Sequence, residues 1–192
     1  MPEFLNSLIR FDTDLFLFLN GYHNIFFDTV MKYVSGKYTW LPLYFFILFM
    51  IFKKFTVKTG FIILFASILL ITLSDQTSVF MFKFTFLRLR PCYNPEISNM
   101  VHNLSLPGGK YGFISSHASN TFALAVFTLL VLKNIKYSVF ILIWAGLVSY
   151  SRIYLGVHYP ADIFFGALWG VFLAFLIYFL MKNLILKHNI PD

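Results

Sequence analysis

The chain has 192 residues, 59% of them hydrophobic and 26 of them phenylalanine, with a mean hydropathy of +0.76. A soluble domain of this length would leave too much apolar surface in water, so the composition indicates a single all-α integral membrane bundle. The formal charge of +7 is spread among the segments between apolar runs. It therefore argues for membrane topology and against nucleic-acid binding.

Residues 1–37 mix apolar and polar side chains, and Asp12, Asp14 and Asp28 recur in them. This pattern predicts an N-terminal unit of one or two short helices lying in the membrane interface, with a sixth span within 13–35 as the alternative. The first residues, MPEFLNSLIRFDTDLF, do not resemble a signal peptide, since no basic region precedes the apolar stretch and Arg10, Asp12 and Asp14 break it.

A spanning helix needs about 20 mostly apolar residues. Five such segments follow, over about 38–54, 57–82, 116–132, 137–155 and 160–181, in a bundle reaching from 38 to 187. Pro and Gly concentrate in 91–112, inside a long loop over 88–113. The single cysteine, Cys92, lies there and excludes an intrachain disulfide. Lys53, Lys54 and Lys58 fall between the first two spans, Lys133 and Lys136 between the third and fourth, and Lys182 and Lys187 after the fifth. With five spans these lysines share one side, which the positive-inside rule makes cytoplasmic. The loop 88–113 and the link 153–159 then face outward, toward the periplasm or the cell exterior of a bacterial inner membrane.

The polar residues of interest collect at the outward ends. Lys83, Arg88 and Arg90 close the second span, and Ser115, Ser116 and His117 open the third. Ser151 and Arg152 close the fourth, and His158 and Asp162 open the fifth. Several cations at one membrane face repel unless an anion lies between them. Phosphate suits the donor forks of arginine, the point charge of lysine and the free N–H groups of a helix start. Pro160 suits the first turn of a helix, and the four-residue spacing turns His158 and Asp162 the same way. A carboxylate on one ring nitrogen fixes the tautomer and leaves the other nitrogen as nucleophile or base.

Taken together, Lys83 and Arg90-Pro91, Ser115-Ser116-His117, and Ser151-Arg152 with His158 and Asp162 resemble the three signature motifs of the type 2 phosphatidic acid phosphatases, in the family's order. The resemblance extends over about residues 38–181. It implies that Lys83, Arg90, Ser115, Ser116 and Arg152 bind phosphate. His158 would attack phosphorus and form a phosphohistidine, oriented by Asp162. His117 would protonate the leaving oxygen and later activate water. No metal or other cofactor is implied. The family's second motif usually reads Pro-Ser-Gly-His, whereas here Ile114 and Ser116 stand in place of its Pro and Gly.

Arg88, Lys110 and Tyr111 are further candidates for substrate contact. Asp75 lies within the second span, beside Ser74, Gln76 and Thr77, and suggests a hydrogen-bond network between helices. His23, His102 and His188 are not expected to be catalytic. The function implied is metal-independent hydrolysis of a phosphate or diphosphate on a membrane lipid at the outer face. By resemblance to short bacterial relatives the first candidate substrate is undecaprenyl diphosphate, with lipid A or another lipid phosphate second. Phosphoryl transfer to another lipid, and a lipid-binding or transport protein without activity, are the two other readings. The sequence carries no sign of the oligomeric state.

Overall fold

The structure is a computed structural model that describes residues 3–105 and 108–184. Lys187 and His188, and the end of the expected bundle at 187, lie outside those residues. Seven helices of more than ten residues make up the described chain: α1 (Glu3–Gly21), α2 (Ile25–Ser35), α3 (Leu41–Lys54), α4 (Val57–Thr77), α5 (Ser116–Leu132), α6 (Ile135–Tyr154) and α7 (Pro160–Leu184). Helix α4 continues through a π-helical turn, Ser78–Lys83, and a last α-helical turn, Phe84–Phe86.

Several helix starts follow from local chemistry. Asn24, Thr56 and Asn134 each cap a helix, their side-chain oxygens accepting from the backbone N–H of Phe27, Thr59 and Tyr137. Pro160 opens α7, where its missing N–H costs nothing.

Helix α5 is the centre of the bundle and packs against α7, α6, α4 and α3. Its small residues Ala118, Ala123 and Ala125 are fully buried, as close helix packing in lipid requires. Across from them Gly170 of α7 lets the backbones meet, since a Cβ there would lie 2.1 Å from the carbonyl oxygen of Ser119. Phenylalanines 45, 49, 61, 65, 164 and 172 point outward from α3, α4 and α7, the inverse of a water-soluble surface. At the far end of α5 the Lys54 ammonium donates to the carbonyl of Leu132 at 2.5 Å, a cation at the negative end of the helix.

Three helical stretches are long and apolar enough to cross a membrane: Val57–Phe86, Ile135–Tyr154 and Pro160–Asn183. Helices α2 and α3 would together make a fourth, bent by 72°, and α5 is apolar but shorter, at 17 residues. The sequence reading of five spans thus meets three full-length helices. The other two, α3 and α5, are shorter than a bilayer ordinarily needs. Helices α1 and α2 both pack on α6.

Candidate active site

The end of α4, the start of α5, the end of α6 and the start of α7 meet at one end of the bundle. The centre is His158, in the short link before α7. Its Nδ1 lies 3.2 Å from Asp162 Oδ2, and its Nε2 lies 2.7 Å from Arg90 Nη1. A guanidinium can only donate, so Nε2 accepts, and the ring proton sits on Nδ1, where it donates to Asp162. The imidazole is fully buried. Burial, and then the charges of Arg90, Arg152 and Lys83, hold its pKa well below the usual histidine value, so the ring is neutral at pH 7.

Asp162 is itself held from several directions. Its Oδ2 accepts from the Tyr159 N–H at 3.1 Å, and its Oδ1 accepts from Arg88 Nη1 at 3.0 Å. Arg88 reaches on to Asp12 of α1 at 2.6 Å and lies over the Tyr159 ring, 4.0 Å from its centroid. Asp12 also accepts from the Ala161 N–H at 2.8 Å, tying α1 to the first turn of α7. Gly112 leaves room for Asp162 and Arg90, because a Cβ there would sit 2.9 Å from Asp162 Oδ2 and 3.2 Å from Arg90 Cγ.

Three cations surround the histidine. Arg90 donates from Nε to the Gly109 carbonyl and from Nη1 to that of Val157. Arg152 donates to the Ser35 hydroxyl, and its buried Nε has no partner. Lys83 Nζ donates to Ser116 Oγ at 2.8 Å, and that oxygen shares a 2.6 Å hydrogen bond with Ser78. The π turn ends at Lys83, so its extra residue per turn resets the phase at which this lysine leaves α4. Among the described residues none of these three cations pairs with a carboxylate.

Lys83, Arg90, Arg152, Ser116, His117 and His158 share the wall of one cavity of about 1200 Å³, and Lys110 and Tyr111 line it as well. The cavity continues along α3, α4 and α6 past Tyr44, Ile47, Leu48, Ile68, Trp144 and Val148, a largely apolar passage below the charged end. Three candidates stand outside it, among them Asp162, which lies behind His158. The Ser115 hydroxyl caps α5, accepting from Ala118, while its N–H donates to the Asp162 carbonyl. Arg88 is engaged by its two carboxylates.

Asp75 joins the expected interhelical network: its Oδ1 accepts from Asn120 Nδ2 at 3.2 Å, beside a 2.6 Å bond between Ser74 and Ser119. His102 stacks on His23 with centroids 3.6 Å apart and bonds Asp28 at 2.9 Å, away from the cavity.

Sequence reading does not reach Asp12 or the role of Arg88. Asp12 is distant in sequence, and its one signal is an acid recurring in an apolar stretch. Asn20 gives even less, yet it ties the loop before α5 to the end of α6, donating to the carbonyls of His102, Ile153 and Tyr154 and accepting from the His102 N–H.

These features define an all-helical membrane protein with a histidine nucleophile candidate in a ring of unpaired cations. Residues 60–186 match the model of the PAP2 superfamily. A lipid A 4'-phosphatase of Bacteroides thetaiotaomicron is 40% identical over 187 residues, covering 96% of this chain and 81% of that one. A lipid A 4'-phosphatase of Porphyromonas gingivalis is 36% identical, covering 91% and 74%. An undecaprenyl-diphosphatase of Sulfolobus acidocaldarius is 32% identical, covering 88% and 77%. The crystal structure of a transmembrane PAP2-type phosphatidylglycerolphosphate phosphatase from Bacillus subtilis shares the fold, with a TM-score of 0.72 at 20% identity over 93% of this chain and 88% of that one. The chain belongs to the PAP2 superfamily, and it is a lipid phosphatase.

Proposed function

We propose that this protein hydrolyses the 4'-phosphate of lipid A or of a similar phosphorylated glycolipid, at the outer face of a bacterial inner membrane. The observation that carries the reading is the set of cations without acids, Lys83, Arg90 and Arg152, around His158 at the charged end of a long apolar cavity. An anion with a lipid tail satisfies both parts. Lipid A moves ahead of undecaprenyl diphosphate, the first candidate on sequence, because the relatives at 40% and 36% identity are lipid A 4'-phosphatases.

In this reading the phosphoryl oxygens displace Arg90 from His158 Nε2 and bind Arg90, Arg152 and Lys83. His158 Nε2 attacks phosphorus. The bond from phosphorus to the sugar oxygen breaks, and His117, which takes up a proton from water once the phosphate's negative charge offsets the surrounding cations, gives that oxygen its proton. The hydrogen bond from Nδ1–H to Asp162 stabilises the positive charge on the phosphorylated ring. Water then loses a proton to His117 and attacks phosphorus, releasing phosphate and restoring neutral His158. The three cations stabilise charge developing on the equatorial oxygens in both steps. Lys110 and Tyr111 face the headgroup. Helices α1 and α2 rest along the membrane surface, a placement supported by exposed Phe4, Phe11, Phe18 and Phe26 beside polar neighbours.

The test is phosphate release by detergent-purified protein, with EDTA present, from lipid A, undecaprenyl diphosphate, phosphatidic acid and phosphatidylglycerol phosphate. Lipid A should react fastest, and His158→Ala should abolish release from every lipid. A fastest reaction with undecaprenyl diphosphate would reverse the order of the substrates. No release from any of the four would overturn the reading.

A further inference from the structure

Below the cations, the cavity wall holds a carboxyl group that the reaction above does not use. Asp75 lies within the α4 span and lines the cavity. Asn120 of α5 lines it too, one turn below His117, a drop of about 4.5 Å along the helix. Asp75 Oδ1 accepts from Asn120 Nδ2 at 3.2 Å, and among the described residues no cation pairs with it.

The arrangement is costly in two ways. An ionisable group at this depth in a membrane is disfavoured unless it meets a partner or a polar cavity. Asn120 Oδ1 is buried and has no hydrogen-bond partner. Turning the amide over would set that oxygen against the Asp75 carboxyl, so Asp75 fixes the orientation that leaves it unpaired. Two apolar side chains would pack this part of the wall at less cost. The pair makes sense if Asn120 positions Asp75, and the accepting capacity Asp75 retains is used by something entering the cavity.

We propose that Asp75 is a specificity residue that accepts a hydrogen bond from a hydroxyl or amide N–H of the substrate's acyl chain, just below the phosphorylated sugar, with Asn120 as its positioning residue. This rests on the phosphatase reading and narrows its substrate class. Lipids with 3-hydroxyacyl or amide-linked chains carry such a donor near the headgroup, whereas a polyprenyl diphosphate carries only hydrocarbon there. A site built to bond a donor rejects an analogue lacking it, because the site's own polar group is left unpaired.

The experiment compares two synthetic glucosamine 4-phosphate lipids. One carries a 3-hydroxyacyl amide chain, and the other an ether-linked alkyl chain of equal length with neither hydroxyl nor amide. The readout is the ratio of their kcat/KM values for wild type, Asp75→Leu and Asn120→Leu, with Asp75→Asn added should the apolar variants fail to fold. Wild type should prefer the hydroxyacyl amide by about tenfold or more, and each variant should lose most of that preference. A merely structural role would lower both rates together and leave the ratio unchanged, which would overturn the inference. Equal rates for the two lipids in wild type would overturn it as well, while leaving the phosphatase reading intact. No release from either lipid would overturn both.

Discussion

His158 is gripped at both ring nitrogens, by Asp162 at Nδ1 and Arg90 at Nε2. The grip on Nδ1 depends on a relay that begins at Asp12 and passes through Arg88. Asp12→Asn should therefore lower kcat by about tenfold, the order of effect seen when the partner that orients a working histidine is lost. Lipid binding should change little, and steady-state kinetics separate the two. Gly112→Ala should also lower kcat with the fold retained, because its methyl would press on Asp162 and on Arg90, the two residues that hold His158. The depressed pKa of His158 has a second consequence. In the unfolded chain the imidazole takes up a proton near its ordinary value of about 6.5, while the folded ring stays neutral to lower pH. The unfolded state then binds more protons, so acid weakens the fold as pH drops through that value. Thermal unfolding followed from pH 7.5 to 5 should show a steeper loss for wild type than for His158→Gln.

At the scale of elements, the site is a meeting of helix ends, and α5 decides whether they meet. Gly170 and Ser119 set the approach of α7 to α5, and α7 carries Asp162. Gly170→Leu should push the two helices apart, at a cost of about 1–3 kcal/mol or more for overpacking. A lower unfolding temperature together with lost phosphate release would show it. The sequence discloses much of this level. The meeting of four helix ends, the His158–Asp162 spacing and the cluster of Lys83, Arg90 and Arg152 are legible because each sits beside a long apolar run with a turn signal. The π turn ending at Lys83 is not legible, since nothing in SVFMFK distinguishes a π turn from continued α-helix. Nor is the use of Ser115 as a cap rather than a cavity residue, because a serine at a helix start fits both roles. The relay through Asp12 is hidden for a different reason: it joins α1 to α7 across almost the whole chain, and only packing brings them together.

For the whole molecule, the cavity links a polar end to an apolar passage. In the proposed function the charged end would fix a phosphate and the passage would take hydrocarbon, so binding should depend on both parts. Removing metal should leave the reaction intact if, as proposed, the charges facing the phosphate come from Lys83, Arg90 and Arg152. Phosphate release in EDTA should equal that in its absence.

The central claim is that His158 carries the phosphoryl group. Its most direct test is to mix the protein with lipid A labelled in the 4'-phosphate, quench in alkali within milliseconds to seconds, and locate the label on the chain. The account predicts an alkali-stable, acid-labile label on His158 that is absent from His158→Ala. Steady phosphate release by wild type with no label on any histidine, or release that survives in His158→Ala, would contradict it.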